Sequence, residues 1–267
     1  MKNVVLSNED FQDFPIGEFP YDKDHTAMGE YQYVVENGYH GNWVDMVCNY
    51  TYNGTGPTWL ITERDGRHFM ESMRIEKNRP HRMFPTLETG KHQWKDYEVS
   101  VSVRRLSQKG MAGLVFSMNH SIDTLVFYLD GKDKAAVAYR HKEEVQVLKE
   151  VSFPHGCDQE YRLKVDCDGR IAKVYVDDQE LFRVEDDLVA RGGKVGITAD
   201  CPSRFADFKV CVSEKTKQEI DVAERAVKET ETEEMKKHPK MKLWKKIDLK
   251  NFGTSRQIRF GHLTGTD

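Results

Sequence analysis

The chain of 267 residues carries 40 basic and 44 acidic side chains, a formal net charge of -4 at pH 7. This balance argues against a dedicated nucleic-acid surface, because such a surface needs a basic field that displaces counterions from phosphates. No apolar run has the length of a signal-peptide core or a membrane span, so no membrane partner is expected. The length is sufficient for one large or two small domains with a sizeable core.

The five cysteines form no CxxC pair, and their odd number suggests neither a disulfide framework nor a zinc site. They are Cys48, Cys157, Cys167, Cys201 and Cys211. Together with the absence of a signal-peptide pattern, this usage predicts a cytoplasmic, reducing setting. The ten histidines show no HxH or HExxH spacing, and most are expected to be ordinary surface and loop residues.

The first 93 residues predict short strands separated by loops. The predicted strands lie at residues 3–6, 43–52, 58–62 and 68–75. The last two flank Asp65-Gly66, a dipeptide that favours a tight hairpin turn. Residues 76–93 predict a loop, because Pro80, Pro85 and Gly90 interrupt any regular pattern.

Residues 94–130 contain the clearest strand pattern of the chain. Val99, Val101 and Val103 alternate with polar residues, which is typical of a strand with one face in a core and one in solvent. Two apolar runs follow at residues 111–118 and 124–129, and the second ends at Asp130-Gly131, another hairpin signal. We expect these three strands to form an antiparallel meander.

Seven more β-rich runs follow, with tight-turn signals at Asp168-Gly169 and Asp177-Asp178. They lie at residues 135–141, 145–151, 161–165, 171–176, 180–184, 194–199 and 205–212. About a dozen short strands at this spacing predict an all-β fold, either an antiparallel sandwich or a barrel.

The composition changes abruptly after Ser213. Residues 214–238 are mostly charged, and Ile220, Ala223 and Val227 form only a thin apolar stripe, so this segment predicts a solvent-facing linker helix. β-type sequence resumes at residues 239–267, which are too few to bury a core alone. We therefore expect them to begin a truncated second β domain of a longer protein.

Six segments in a fixed order resemble a known fold. They are WxDY at 94–97, GMAGLVF at 110–116, YRLKV at 161–165, VYVD at 174–177, GGKVGI at 192–197 and FADFKV at 205–210. This series resembles the concanavalin A-like, laminin-G-type jelly-roll sandwich, which occurs in carbohydrate-binding modules and in enzymes that act on glycans. The resemblance covers residues 1–213.

The last segment, WKKIDLKNFGTSRQIRFGHLTGTD, is similar to the opening strands of the FG-GAP-type β-propeller in rhamnogalacturonan-lyase-like proteins. Such repeats often carry a DxDG calcium loop, whereas this one retains only Asp267. A sandwich joined to such a propeller implies a polysaccharide lyase-like protein that processes an acidic plant polysaccharide.

A sugar site needs aromatic faces and convergent polar groups on a concave surface, and a uronate adds a need for arginine. The candidates are Trp59, Tyr128 and Tyr139 on strands, with His68, Arg74, Arg82, His120 and Arg140 near strand ends or in the basic loop. The basic cluster from Arg74 to His92 is the best single indication. The alternatives are that the aromatics pack in the core and that the loop charges are solvated or contact the propeller.

Many sandwiches of this type hold a structural calcium where the first strand meets the last. The resemblance implies Glu9 or Asp10, with Asp207, as oxygen ligands for such an ion. A calcium ion here would tie the ends of the domain together.

The ExDxxE signature of sandwich-fold glucanases does not occur. Glu71 is the one carboxylate set among apolar neighbours, where desolvation raises a pKa if the side chain points inward. It is the alternative catalytic residue, with His68 or Arg74 as its partner, although an outward-facing glutamate is also consistent with the pattern.

The sequence thus predicts a carbohydrate-binding or accessory sandwich (1–213), a helical linker (214–238) and a propeller start (239–267), within a multidomain glycan-processing protein. The expected partners are an oligo- or polysaccharide, with uronate residues, and the propeller of the same chain. Two alternatives stay open: the sandwich is itself a hydrolase or lyase, or it is purely structural.

Overall fold

The structure is a computed structural model that describes residues 2–18, 43–45, 59–72, 86–120, 122–142 and 144–237. Within these residues the strands are β1 (Val4–Glu9), β2 (Gly17–Glu18), β3 (Val44–Asp45), β4 (Trp59–Arg64), β5 (Arg67–Ser72), β6 (Thr86–Thr89), β7 (Glu98–Arg105), β8 (Met111–His120), β9 (Asp123–Asp130), β10 (Lys134–His141), β11 (Glu144–Ser152), β12 (Glu160–Asp168), β13 (Ile171–Val176), β14 (Gln179–Glu185), β15 (Lys194–Ala199) and β16 (Ser203–Val212). The helices are α1 (Asp187–Ala190) and α2 (Glu214–Lys237). Neither of these two described helices is long and apolar enough to cross a membrane.

The strands form two antiparallel sheets. The nine-stranded sheet has the order β14-β13-β12-β7-β16-β5-β4-β2, with β1 beside β16, and the seven-stranded sheet has the order β11-β10-β9-β8-β15-β6-β3. The predicted all-β sandwich is therefore confirmed.

The core lies between the two sheets. In the nine-stranded sheet, the valines at 99, 101 and 103 of β7 point inward and are at most 1% exposed. In the seven-stranded sheet, Leu125, Phe127 and Leu129 of β9 do the same. Because side chains alternate along a strand, the residues between them form the outer faces of the sandwich.

The predicted meander is wrong in one respect. β7 pairs with β12 and β16, whereas β8 pairs with β9 and β15, so the chain changes sheets between Arg105 and Met111. Leu106 N donates to Pro202 O at 2.8 Å, and Gly110 has a φ of +89°, a conformation that favours glycine. The actual meander consists of β8, β9, β10 and β11.

Two local predictions also need correction. Residues 86–89 were expected in a loop, but they form the buried strand β6, because they pair with β15 and β3. Ser100 and Ser102 were expected in solvent, yet they are 4% and 7% exposed. Arg162 Nη2 donates to Ser100 Oγ at 2.8 Å, so long charged side chains on the outer face cover these small ones.

The predicted helix is confirmed as α2, but one face of its first half packs on the sandwich instead of facing solvent. Ile220 is 1% exposed and belongs to the core cluster. Lys95 and Glu219 form an ion pair of 2.9 Å at the same contact. The predicted propeller start, residues 239–267, lies outside the described residues.

The contact between α2 and the sandwich can be tested with Ile220→Ala. We expect the free energy of unfolding to fall by about 2 kcal/mol or more, because the substitution leaves a cavity in the core. Val222→Ala is the matched control, because Val222 is 58% exposed on the same helix. Urea unfolding measures both variants, and equal losses would contradict the contact.

Candidate functional site

A concave surface lies on the outer face of the seven-stranded sheet, and we call it the Tyr128 groove. It is about half open to solvent, has a volume of about 520 Å³ and is lined by Gln108, Lys109, Gly110, Met111, Val126, Tyr128, Asp130, Gly131, Lys132, Ala138, Arg140, Val145 and Asp200. These residues come from β8, β9, β10 and β11, from the loops before β8 and after β9, and from the residue that follows β15. The groove is thus built mainly by the meander of β8, β9, β10 and β11.

The surface is concave around Tyr128 because its neighbours are small. Tyr128 faces Gly113 on β8 and Ala136 on β10. A Cβ at Gly113 would lie only 2.0 Å from Phe127 O, so the close approach of β8 and β9 requires glycine there. The half-buried ring therefore has no bulky neighbour in its own row of the sheet.

The phenol of Tyr128 stays protonated at neutral pH. Burial raises its pKa, and the carboxylates of Asp130, Glu150 and Asp200 raise it further by repulsion. A protonated phenol both donates and accepts hydrogen bonds. Tyr128 can thus offer a ligand an apolar ring and a polar edge at once.

Arg140 lines the groove as a buried cation. It is 3% exposed, and burial lowers the pKa of Arg140 to about 10, an effect that the charge of Asp200 partly offsets. The guanidinium group is still charged at neutral pH. The Asp200 carboxylate accepts a hydrogen bond from Met111 N, while burial raises the pKa of Asp200.

One end of the groove is a rim formed by two loops in contact. Gly131 N, in the turn after β9, donates to Gly110 O, in the loop before β8, at 2.9 Å. A Cβ at Gly131 would lie 2.1 Å from Gln108 O and 3.0 Å from the Cα of Lys109. Glycine at this position lets the loops meet, which brings Lys109 and Lys132 to the same rim.

The structure brings together two of the sequence-predicted sugar-site residues, Tyr128 and Arg140, in this groove. Arg74 and Arg82, with most of the predicted basic cluster, lie outside the described residues. Lys91, from the same cluster, forms an ion pair with Glu224 on α2 at 2.5 Å. Lys91 therefore belongs to the contact between α2 and the sandwich.

Trp59 and His68 lie away from the groove, on the nine-stranded sheet. Trp59 is 1% exposed, and its ring centroid lies 6.0 Å from that of Phe205. Its side chain therefore packs in the core, which was the alternative to a role in sugar binding. His68 Nδ1 lies 3.2 Å from Phe11 O. Neither side chain shares a surface with Tyr128.

Tyr139 belongs to a separate polar cluster around Asp123, at the end of β9 and β10 that lies away from the rim. The Tyr139 hydroxyl donates to Asp123 at 2.9 Å, and Arg191 binds the same carboxylate at 2.8 Å. Burial raises the pKa of Asp123, but the hydrogen bonds from Arg191, Asn119 and Tyr139 outweigh it and hold the pKa below its usual value. His120 pairs in register with Asp123.

Glu71, the alternative catalytic residue, is buried and paired. Its Oε2 accepts from Arg204 Nε and from Thr62 Oγ1, both at 2.8 Å, on the outer face of the nine-stranded sheet. His68 is three residues away on β5 and points to the other face, so the structure does not bring the two together. The other proposed partner, Arg74, lies outside the described residues.

The predicted calcium ligands lie where the first and last strands pair, with Glu9 opposite Phe208. The carboxylates bind protein donors instead: Glu9 accepts from Phe11 N at 2.9 Å, Asp10 accepts from Gln12 N at 3.0 Å, and Asp207 binds Arg67. Among the described residues, no group of three or more His, Cys, Asp or Glu could hold a metal ion. These residues, as arranged, do not fit a calcium cage, and the ion stays a prediction.

Sequence reasoning missed Lys109, Lys132, Met111, Val145 and Asp200. The Asp130-Gly131 signal marks the turn that carries Lys132. The remaining residues meet through nonlocal strand pairing, for which the sequence holds no comparable signal.

No protein-family model matches the chain, and no curated protein matches it. Among solved structures, a protein of unknown function with a galectin-like fold from Bacillus subtilis is 11% identical, with 80% of this chain and 99% of that chain covered and a TM-score of 0.52. The carbohydrate-binding module CBM66 from Bacillus subtilis is 17% identical over 64% of this chain and 95% of that chain, with a TM-score of 0.48. The GH43 BlXynB protein from Bacillus licheniformis is 15% identical over 64% of this chain and 37% of that chain, with a TM-score of 0.49. The first of these likenesses shows that the chain folds as a galectin-like jelly-roll sandwich.

The pairing of Glu71 predicts a structural role for this residue. Arg204→Ala should lower the free energy of unfolding by about 3 kcal/mol, because it leaves the carboxylate of Glu71 buried and uncompensated. Arg183→Ala is the control, since its ion pair with Glu180 is exposed and should have little effect. Chemical denaturation measures both, and an unchanged stability of Arg204→Ala would contradict this role.

Proposed function

We propose that the sandwich is a carbohydrate-binding module and that the Tyr128 groove is its saccharide site. The observation that carries this proposal is the meeting of a half-buried tyrosine ring with buried and exposed cations in one concave surface of 520 Å³. A sugar ring presents C–H faces that pack on an aromatic ring, and its hydroxyls bind convergent polar groups. The groove supplies both kinds of contact.

Binding suits this site better than catalysis. The two carboxylates of the groove have structural partners: Asp130 Oδ1 accepts from the backbone N–H groups of Lys132 and Lys134, and Asp200 accepts from Met111 N. Glu71 is likewise paired, on the other sheet. The resemblance of residues 1–213 to concanavalin A-like modules supports the same function.

The wider proposal places this module in a multidomain protein that processes an acidic plant polysaccharide. It rests on the similarity of residues 244–267 to the opening of a rhamnogalacturonan-lyase-like propeller. In that protein the sandwich would bind the polymer while the propeller carries the chemistry.

Binding can be tested by calorimetric titration of the full chain with tetrasaccharides of galactose, glucose, xylose and galacturonate. We expect saturable binding to at least one of them, and a loss of about tenfold or more in affinity for Tyr128→Ala, roughly 1.4 kcal/mol of lost ring contact. Tyr128→Phe should retain most of the affinity, because it keeps the ring.

Tyr175→Ala is the matched control, since Tyr175 lies on the outer face of the nine-stranded sheet beneath Lys164. Its affinity should equal that of the unmodified chain. The absence of binding to all four sugars, or equal affinities of Tyr128→Ala and Tyr175→Ala, would contradict the proposal.

A further inference from the structure

We infer that the Tyr128 groove selects saccharides that carry an anionic group, and that Lys109 and Lys132 bind this group at the rim. The inference rests on the proposed saccharide-binding function and names the ligand class of the same site. It concerns residues of the two rim loops.

The two lysines are held close by the backbone. Lys132 directly follows Gly131, whose N–H donates to Gly110 O at 2.9 Å, and Lys109 directly precedes Gly110. A Cβ built on Gly131 would lie only 3.0 Å from the Cα of Lys109. Two like charges are therefore brought to one edge of the groove by contacts that do not involve their side chains.

Both ammonium groups are available to a ligand. Lys109 and Lys132 are exposed, and in the part of the chain that the structure describes neither forms an ion pair. The neighbouring Lys134 differs, because it binds Glu150 at 2.5 Å. Two cations on one rim that form no ion pair attract an anion to that end of the groove.

The acidic residues of the groove bind backbone N–H groups and form no ion pair with these lysines. Asp130 Oδ1 lies 2.8 Å from Lys132 N and 3.2 Å from Lys134 N, so the carboxylate caps its own turn. Asp200 binds the backbone of Met111. The buried guanidinium group of Arg140 adds a third cation, so the groove has three basic and two acidic side chains.

An anionic group on a sugar that packs on Tyr128 would thus find the lysines at one end of the groove. The anion is a carboxylate in a uronate and a sulfate ester in a sulfated sugar, and both offer oxygen acceptors to ammonium groups. The selectivity should fall as ionic strength rises, because the lysines are exposed.

The test compares three tetrasaccharides, of galactose, of galacturonate and of sulfated galactose, by calorimetric titration of the full chain at low and high salt. We expect the two anionic ligands to bind about tenfold or more tightly than the neutral one at low salt, with a smaller difference at high salt. Lys109→Gln combined with Lys132→Gln should bring the affinity for the two anionic ligands down to about that for the galactose tetrasaccharide. Binding of only one anionic ligand would identify the anion as carboxylate or sulfate.

Lys173→Gln is the control, because it also replaces a lysine by glutamine, on the nine-stranded sheet and away from the groove, and it should retain the difference. Equal affinities for the neutral and anionic ligands, or a difference that survives in the double variant, would overturn the inference while Tyr128-dependent binding still supports the proposed function. If Tyr128→Ala loses binding to all three ligands while the unmodified chain prefers the anionic ones, the result supports both the inference and the proposed function. No binding to any of them would overturn both.

Discussion

The alternation of side chains along β9 and its neighbours is the constraint on which the rest of the structure depends. Leu125, Phe127 and Leu129 are each at most 1% exposed and hold the two sheets together. Val126 and Tyr128, which lie between them, and Asp130, which follows, must then point away from the core, because successive side chains of a strand lie on opposite faces. The candidate site is therefore a direct consequence of how the core is packed, and a shift of one residue in register would bury Tyr128 and expose Phe127.

The loop in which the chain passes from one sheet to the other forms part of the rim of the Tyr128 groove. After β7 the loop crosses to the seven-stranded sheet, and its Gly110 carbonyl receives the N–H of Gly131 from the turn after β9. Small residues make this possible, because any side chain at Gly131 would collide with Gln108 O at 2.1 Å. The contact between these two loops thus also brings Lys109 and Lys132 to the same rim.

Several other charged residues of the same sheets form structural pairs. On the nine-stranded sheet, Glu71 binds Arg204 and Arg67 binds Glu160, so these side chains satisfy one another. At the far end of β9, Asp123 is held by Arg191. The rim lysines differ from these groups, because no carboxylate among the described residues pairs with them.

The sequence predicted the all-β fold, most strand positions, the hairpin turns and α2, because these depend on local patterns of period 2 or 3.6 and on turn residues. It failed at β7 and β8, which it paired, because alternation reports which residues are buried and carries no information on which strands meet. It also missed β6, whose strand pairing comes from β15, more than 100 residues later.

The same limit applies to the site. Tyr128 was found as an aromatic residue on a strand and Arg140 as a basic residue near a strand end, whereas Trp59 is also an aromatic residue on a strand and lies in the core. Asp200 reaches the groove only through the pairing of β15 with β8. Lys109 and Lys132 became a pair only through a backbone contact between two loops.

The most direct test of the central claim is an NMR map of backbone amide shifts on addition of a saccharide that the chain binds. The account predicts that the perturbed amides lie at residues 108–113, 126–132 and 138–140, with the outer face of the nine-stranded sheet unchanged. Perturbations confined to that other face, around Glu71 and Arg204, would show that the saccharide binds elsewhere and would contradict the assignment of the Tyr128 groove.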